Sequence, residues 1–137
     1  MGDKVDNEAA YILHATPYRE TSLIVEAFSR ERGRVSLVAR GARRPMSSLE
    51  SRLLAFQPLH AAEWQGGDVR LLGQGLMCGF YLNELLLKLL ALDDPHEALF
   101  DRYVATLAAL AEASDAAPIL RRFELALLSE LGYAQTL

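Results

Sequence analysis

The 137-residue chain is 51% hydrophobic and carries a formal net charge of -4 at pH 7, as expected of a globular protein with one good core or two small ones. Its amino-terminal MGDKVDN lacks the apolar run of a secretory signal, and no segment has the ~20 apolar residues of a membrane span, so we expect a soluble cytoplasmic protein. A single cysteine, Cys78, excludes an internal disulfide and a Cys-rich zinc site.

Three short strands are predicted at the start of the chain. Ala9–Ala15 is a short apolar run, and we expect Thr16 and Pro17 to end it. Ser22–Ser29 is a second apolar run, followed by a charged hairpin turn, RERG, whose glycine can adopt a positive φ. GRVSLVARGARR, at 33–44, then forms the third strand, antiparallel to the second, until Gly41 breaks it.

The third strand alternates between two faces, because successive side chains of a strand point to opposite sides. We expect one face to hold the interior of the sheet together, and it comprises Val35, Leu37 and Ala39. The other face comprises Ser36, Val38 and Arg40. Gly41 then frees the chain for Arg43 and Arg44.

Two more strands are predicted before residue 73, although residues 45–58 contain several turn-forming residues and are left unassigned. Leu59–Trp64 and Val69–Leu72 flank the segment QGGD, and a Gly-Gly pair between two apolar runs indicates a hairpin. Five short antiparallel strands commonly close into a small barrel, and the OB-fold is one such barrel. We therefore expect a small five-stranded barrel over residues 1–72, with the OB-fold as one candidate.

Three helices are predicted over residues 73–137. The stretch 76–92 is apolar at nearly every position, which suggests a helix at the centre of a bundle. Asp94 is expected to cap a second helix, and Asp115 a third that ends at Gly132. Their apolar faces are Leu99, Tyr103, Leu107, Leu110 and Ala111, then Ile119, Phe123, Ala126, Leu127 and Leu131. Strands followed by helices without alternation indicate an α+β protein with two modules.

The sequence contains no pattern typical of catalysis. His14, His60 and His96 stand in no metal-binding or triad spacing, so structural or surface roles are expected for them. GQGLMCG, at 73–79, has glycines but lacks the spacing of a dinucleotide-binding loop. We therefore expect no enzyme activity, no cofactor and no bound metal.

Positive charge is concentrated in one stretch of this acidic chain. The stretch 30–52 has seven arginines against two glutamates, whereas 73–137 has four basic and nine acidic residues. The seven are Arg30, Arg32, Arg34, Arg40, Arg43, Arg44 and Arg52. The planar guanidinium binds phosphate through two contacts and stacks on bases, which favours nucleic acid as partner. A solvated hairpin face or a protein partner would also account for the charge.

Two further features leave alternatives open. Tyr11, Tyr18 and Phe28 lie in the same module and would either stack on bases or belong to the core, and the alternation favours the core for Phe28. Arg121 and Arg122 open the third helix. They are either exposed helical charges or an anchor for an acidic, apolar peptide in a groove between helices.

Four segments, taken in order, resemble the DNA repair protein RecO family. They are AYILHATPYRETSLIVEAFSRERGRVSLVARGAR, FQPL, GFYLNELLLKLL and RRFELALLSELGY. The blocks YRETSL, GRVSLVARGAR and YLNELL are together specific, and the match touches both modules. The resemblance implies an amino-terminal OB-fold joined to a helical domain, in a noncatalytic recombination mediator of the bacterial cytoplasm that is associated with the nucleoid when it acts on DNA.

The resemblance also implies partners. Family members bind single- and double-stranded DNA, anneal complementary strands, and act with RecR to help RecA load onto strands coated by single-stranded DNA-binding protein (SSB). On this basis the main DNA contacts would be Arg34, Arg40, Arg43 and Arg44, supported by Arg30, Arg32 and Arg52. Arg121 and Arg122 would hold the acidic end of the SSB C-terminal tail.

The chain departs from the family pattern in two places. It passes from VRLL almost directly to GQGLMCG, without the family's longer connection. It stops at LGYAQTL, where family members continue through further helices and often a cluster of zinc-binding cysteines, so no zinc is assigned here. Two alternatives remain: an OB-fold module that binds RNA or single strands outside repair, and a protein-interaction module whose arginines dock an acidic partner.

Overall fold

The computed structural model describes residues 9–44, 55–56, 58–59 and 71–132, which contain four strands and three helices. These are β1 (Ala10–Tyr18), β2 (Ser22–Ser29), β3 (Gly33–Ala39), β4 (Pro58–Leu59), α1 (Gly73–Leu89), α2 (Glu97–Glu112) and α3 (Ala117–Glu130). The strands form one antiparallel sheet in the order β3-β2-β1-β4. The helices follow the strands in the chain, which confirms the predicted α+β class.

The strands β2 and β3 form the predicted hairpin. β2 has the predicted bounds, and its pairing with β3 runs from Leu23 opposite Ala39 to Ser29 opposite Gly33. The Ser29 hydroxyl accepts a hydrogen bond from the backbone N–H of Arg32 at 3.1 Å and closes the turn. Gly33 has a φ of +79°, a conformation that glycine adopts without steric cost.

The first strand is longer than predicted. β1 continues through Thr16 and Pro17 to Tyr18, and Pro17 pairs with Leu23 of β2. The expectation that Pro17 ends the strand is wrong, because proline lacks only an N–H and every second N–H of an antiparallel strand points away from a given partner. The extension places Tyr18 beside the β1–β2 turn.

β3 lies at an edge of the described sheet, and its outer half is exposed. Leu37 is 45% exposed and Val38 is 52% exposed, whereas Val35 is half-buried. The prediction that Leu37 is an interior residue is therefore wrong, because β2 covers one edge of β3 and no described strand runs along the other. Ala39 is half-buried against the small cluster of Ile12, Leu23, Val25 and Ala42, as the alternation predicts.

The described strands do not complete a five-stranded barrel. β4 consists of Pro58–Leu59 and pairs with β1 at Ala10 and Tyr11. Most of the predicted strand at 59–64 lies outside the described residues. Of the predicted strand at 69–72, Leu71 and Leu72 are described and precede α1 without strand pairing. A closed barrel therefore stays a prediction.

The helix α1 is displaced towards the amino terminus relative to the predicted 76–92. Its early glycines allow close packing: a Cβ on Gly75 would lie 2.9 Å from the Leu110 carbonyl oxygen, and one on Gly79 would lie 2.6 Å from the Leu71 side chain. GQGLMCG is thus a packing segment. Met77 and Phe80 are exposed on the other side, so the expected position at the centre of a bundle is wrong for the described residues.

The segment between α1 and α2 is fastened to the sheet. The Asp93 N–H donates to the Arg34 carbonyl oxygen at 2.7 Å, and Gly33 is so close to the Asp94 carbonyl that a Cβ would collide with it. The predicted N-cap role of Asp94 is wrong: α2 is preceded by His96 as N-cap, without a side-chain capping bond. The contact with the sheet decides where this helix begins.

The third helix follows the sequence more closely. The predicted cap is displaced by one residue: Ala116 is the N-cap of α3, without a side-chain capping bond, and the Asp115 carboxylate before it accepts a hydrogen bond from the Ala117 N–H at 3.3 Å. Gly132 has a φ of +88° and ends the helix as predicted. On the predicted apolar faces, most residues are buried or half-buried, and Ala111 of α2 is exposed.

Sheet and helices share one aromatic core. The ring centroid of Phe28 lies 5.3 Å from that of Phe100 and 5.9 Å from that of Tyr103, which confirms Phe28 as a core residue. The Tyr103 hydroxyl donates to Asn83 Oδ1 at 2.5 Å, and the Asn83 amide donates to the Leu13 carbonyl oxygen at 3.1 Å. Burial raises the pKa of Tyr103, so this hydroxyl stays a donor at neutral pH. These contacts fix the helices on one face of the sheet.

Candidate nucleic-acid interface

An open groove lies where the β1–β2 turn meets the end of β3. Its volume is about 410 Å³, within the roughly 300 to 1,000 Å³ typical of small-ligand sites. We call it the arginine groove, and its lining consists of Tyr18, Arg19, Thr21, Ser22, Val38, Arg40, Gly41 and Arg44. Three cationic residues and no acidic residue occur among the described residues of this lining, so their charge favours anions.

The backbone after β3 holds the arginine groove in shape. The Arg43 N–H donates to the Thr21 carbonyl oxygen at 2.8 Å, which ties the loop to the β1–β2 turn. Ala42 is fully buried in the small apolar cluster. Together these contacts anchor the loop from both sides of the sheet end.

Gly41 has a local role that its position in the sequence suggested. Its φ is +73°, and the side chain of Arg44 lies over it, so that a Cβ at this position would stand 3.4 Å from Arg44 Nε. The Arg44 N–H also donates to the Gly41 carbonyl oxygen at 3.1 Å. A larger residue here would strain the turn because of the positive φ, and its Cβ would come into van der Waals contact with the Arg44 side chain.

Arg40 and Arg44 point their charges to solvent. Both are exposed, and neither side chain forms a hydrogen bond or ion pair with another residue of the described ranges. Arg43 is also exposed, on the same loop. The structure therefore brings three of the predicted DNA-contact residues together at one end of the sheet.

Arg19 joins this site although it lies outside the arginine-rich stretch that the sequence highlights. It occupies the β1–β2 turn with a φ of +58°, and its guanidinium carbon lies 5.2 Å from the Tyr18 ring centroid. The available signal was the segment YRETS: once β1 is extended through Pro17, Arg19 becomes a hairpin-turn residue. Because the first strand was predicted to end at Pro17, Arg19 was not predicted to lie in this turn.

Arg34 faces the helices rather than solvent. Its side chain is 21% exposed; one terminal nitrogen donates to the Leu90 carbonyl oxygen at 3.1 Å, and the other pairs with the Glu26 carboxylate at 3.3 Å. The Ser36 hydroxyl donates to the second oxygen of Glu26 at 3.1 Å. The Arg34 guanidinium thus joins β3, β2 and the end of α1.

Arg30 makes a second link between sheet and helices. Its guanidinium contacts both carboxylate oxygens of Asp101, at 2.9 and 3.1 Å, and lies 3.4 Å from Glu97. The hydrogen bond from Arg30 lowers the pKa of the Asp101 carboxyl, and Asp101 raises the pKa of Arg30.

The remaining predicted DNA contacts lie elsewhere. Arg32 is exposed in the β2–β3 turn, at the opposite end of β3 from the arginine groove. Arg52 lies outside the described residues. Tyr11 packs against Tyr103 and Phe100 in the core, whereas Tyr18 lines the arginine groove.

A second groove, between α1 and α3, is mainly apolar. Its volume is about 330 Å³, and we call it the helical groove; its lining is Tyr81, Leu85, Leu89, Arg121, Glu124, Leu125, Leu127 and Leu128. The Tyr81 hydroxyl donates to Glu124 at 2.8 Å, which raises the pKa of Tyr81, and Arg121 Nε lies 3.6 Å from the same carboxylate. Arg121 therefore stands at the helical groove, while Arg122 is exposed and outside its lining.

The lack of acidic residues distinguishes the arginine groove from three other grooves of the described chain. Glu124 lines the helical groove, Glu130 lines a groove between α2 and α3, and Glu84 lines one between β1 and α1. Such carboxylates oppose the approach of a polyanion. Of these four grooves, the arginine groove alone is suited by charge to phosphate.

Histidines and possible metal ligands show no arrangement for chemistry in the described part of the chain. His96 Nδ1 lies 2.7 Å from the Glu130 carboxylate and connects the start of α2 to the end of α3, as expected of a structural residue. His14 is exposed, and His60 lies outside the described ranges. Within those ranges no three His, Cys, Asp or Glu side chains cluster as metal ligands, and no described helix has the length and apolar character to cross a membrane.

Two family models match this chain. The model described as "Recombination protein O N terminal" matches residues 4–78, and the one described as "Recombination protein O C terminal" matches residues 71–137. The two matched regions meet at the start of α1. Together they include both the arginine groove and the helical groove.

Several curated proteins named "DNA repair protein RecO" are similar to the chain. The protein from Aromatoleum aromaticum is 54% identical over an alignment of 143 positions, which covers 95% of this chain and 59% of the relative. The proteins from Nitrosospira multiformis and Laribacter hongkongensis are 54% and 53% identical; the matches cover 98% of this chain and 62% and 61% of the relatives. The chain thus spans about three-fifths of the length of these relatives.

Proposed function

The chain belongs to the RecO family of DNA repair proteins, and from this membership we propose that it is a noncatalytic recombination mediator that binds DNA at the arginine groove. The observation that carries the proposal is the charge of that groove in a chain of net charge -4: its described lining has three arginines and no acidic residue, and Glu20, which follows Arg19 in the turn, is not part of that lining. The planar guanidinium matches the geometry of a backbone phosphate and can bind it through two hydrogen bonds.

Different arginines take different roles in this proposal. Arg40, Arg43 and Arg44 contact phosphates at the end of β3, and Arg32 and Arg52 give peripheral support. Arg30 and Arg34 act mainly as structural links, because their guanidinium groups are already bonded to Asp101, Glu26 and the Leu90 carbonyl. The resemblance favours DNA contacts for both, but a phosphate would have to compete with these partners.

Binding through phosphates implies little sequence preference. Phosphate contacts orient a nucleic acid without reading its bases, so the protein should bind single strands and duplexes of any sequence. Neutralising the backbones of two complementary strands also lowers their mutual repulsion. The lower repulsion would favour strand annealing, the activity that the family resemblance implies.

We propose the same division of labour between modules that the resemblance implies. Residues 1–72 form the OB-fold DNA-binding domain, and residues 73–137 form a helical domain. RecR and, indirectly, RecA are the proposed partners in loading onto SSB-coated strands. The bacterial cytoplasm, at the nucleoid during repair, is the proposed location.

The helical groove is the proposed site for the C-terminal tail of SSB. Its apolar lining suits the apolar part of that tail, and Arg121 provides a cation for the acidic part. Glu124 partly neutralises Arg121, at 3.6 Å, so the affinity gained from this pair is modest. Arg122 is a peripheral contact in this proposal.

The test of DNA binding is a salt titration with single-stranded oligonucleotides. Each phosphate neutralised on a single strand contributes roughly 0.7 to the slope of log affinity against log salt. The double variant Arg40→Ala/Arg44→Ala should therefore reduce the slope by about 1.4 and weaken binding for all sequences alike. The matched control is Lys88→Ala/Arg102→Ala, which removes the same charge from exposed positions on α1 and α2.

The outcomes separate the proposal from its alternatives. A double variant with the slope and affinity of the control would refute the arginine groove as the DNA site. Absence of any nucleic-acid binding at low salt would favour a protein-interaction module. Equal affinity for RNA, together with no annealing of complementary strands, would favour a generic OB-fold module.

A parallel titration with an SSB tail peptide tests the helical groove, and Arg121→Ala should weaken that binding without changing the DNA slope.

A further inference from the structure

We infer that the arginine groove holds one unpaired nucleotide, with its base against the Arg19–Tyr18 pair and its phosphate between Arg40 and Arg44. The inference rests on the proposed DNA binding and goes beyond it, because it assigns a base contact and a preference for single strands to this groove. Nothing in the arginine-rich stretch itself predicts such a contact, since Tyr18 and Arg19 belong to the other hairpin.

The backbone of Arg19 provides the first argument. A non-glycine residue with a φ of +58° is uncommon, and glycine or asparagine adopts this conformation at lower cost in a hairpin turn. Strain of this kind tends to persist where the side chain has a use. Here the conformation places the guanidinium over the Tyr18 ring, at 5.2 Å from its centroid.

The surfaces around Arg19 provide the second argument. A guanidinium is planar and stacks on a base with one face while its other face lies against an aromatic ring. Val38, 52% exposed, lines the same groove and offers apolar contact to the edge of the base. A bare phosphate would make no apolar contact with this residue, whereas the base of a nucleotide would.

The cations around the groove provide the third argument. Arg40 and Arg44 line the same groove as Arg19, from the end of β3 and the loop that follows it, and their side chains have no partner among the described residues. The side chain of Arg44 rests over Gly41, where the absence of a Cβ leaves it room. A phosphate bound here would belong to the same nucleotide as a base that lies on Arg19. In a duplex the base is paired and stacked, so it cannot occupy the position.

The test compares Arg19→Lys with Arg19→Gly, using a single-stranded oligonucleotide and a duplex of equal length. Arg19→Lys keeps the charge but removes the stacking plane, so single-strand affinity should fall by about 5-fold or more, as when a stacked base is lost. Duplex affinity and the salt slope should stay unchanged. Arg19→Gly relieves the positive φ, so the protein should be at least as stable in urea while it loses single-strand affinity.

A backbone without bases gives an independent readout. An abasic strand of the same length keeps the phosphates, so wild-type protein should bind it more weakly than the normal strand. Arg19→Lys should bind the abasic strand as wild-type protein does, because the contact it removes is already missing. A loss with Arg19→Lys that is as large on the abasic strand or the duplex would overturn the base contact.

The double variant Arg40→Ala/Arg44→Ala distinguishes failure of this inference from failure of the proposed function. If that variant weakens binding and Arg19→Lys leaves single-strand affinity unchanged, the nucleotide site is wrong and the DNA groove stands. If the double variant binds DNA as wild-type protein does, the groove is not the DNA site and both proposals fall. Selective loss of single-strand affinity in Arg19→Lys, together with the loss in the double variant, supports both.

Discussion

Replacing Arg34 with alanine separates a structural arginine from a DNA-binding one. The side chain is 21% exposed, and it donates to the Leu90 carbonyl oxygen at 3.1 Å while pairing with Glu26 at 3.3 Å. Alanine would leave a carbonyl at the end of α1 without its donor and a half-buried carboxylate with only Ser36 as partner. We therefore expect a loss of stability rather than a simple loss of DNA affinity.

The magnitude follows from these contacts. A hydrogen bond from a charged donor contributes about 1.5 to 3 kcal/mol, and the partly exposed pair with Glu26 adds at most about 1 kcal/mol. The free energy of unfolding should thus fall by about 1.5 to 4 kcal/mol. With an m-value of about 2 kcal/mol per molar urea, the unfolding midpoint should fall by roughly 0.8 to 2 M.

The assay is urea unfolding of Arg34→Ala and Arg40→Ala, followed by circular dichroism, with a salt titration of DNA binding in the absence of urea. Arg40→Ala removes the same charge from an exposed position at the other end of β3, so its stability should stay within about 0.5 kcal/mol of wild type. Its salt slope should fall by about 0.7, whereas that of Arg34→Ala should not change. Equal urea midpoints for the two variants, or a lower slope for Arg34→Ala, would refute the reasoning.

Three further predictions concern contacts that hold the helices in place, against the sheet and against each other. Because Arg30 lowers the pKa of Asp101, the Arg30–Asp101 pair contributes stability above the ordinary carboxyl pKa, and this stability is lost as the pH falls through the lowered pKa. Asp101→Asn should therefore be less stable than wild type at neutral pH and equally stable in strong acid, as measured by urea unfolding at both pH values. Gly75→Ala would place a Cβ 2.9 Å from a backbone oxygen of α2 and should lower the free energy of unfolding by about 1 to 3 kcal/mol, and a thermal melt identical to wild type would contradict that close packing. Tyr103→Phe would leave Asn83 Oδ1 buried without its donor and should lower stability by about 1 to 3 kcal/mol, a prediction that an unchanged urea midpoint would refute.

The bounds of one strand and the conformations of two glycines follow from local sequence. β2 has its predicted bounds, and Gly33 and Gly132 adopt the positive φ expected of a turn and of a helix end. Each of these depends on neighbouring residues only, so the pattern carries the information.

The ends of other elements depend on contacts distant in sequence. Pro17 does not end β1, because pairing with β2 continues to Tyr18. Asp94 does not cap α2, because its segment is held against Gly33 and Arg34 of β3. The propensities at these positions are real but weak, and tertiary packing overrides them.

The candidate site shows the same division. The sequence by itself determined the family, the α+β class and the stretch that contains half of the basic residues. It could not decide which guanidinium groups reach solvent, because Arg30 and Arg34 bind partners 56 to 71 residues away in the chain. Only the tertiary structure placed Arg19 beside Arg40 and Arg44 and turned Arg34 inwards, since the direction of a long side chain is decided by what packs against its strand and not by the strand's own alternation.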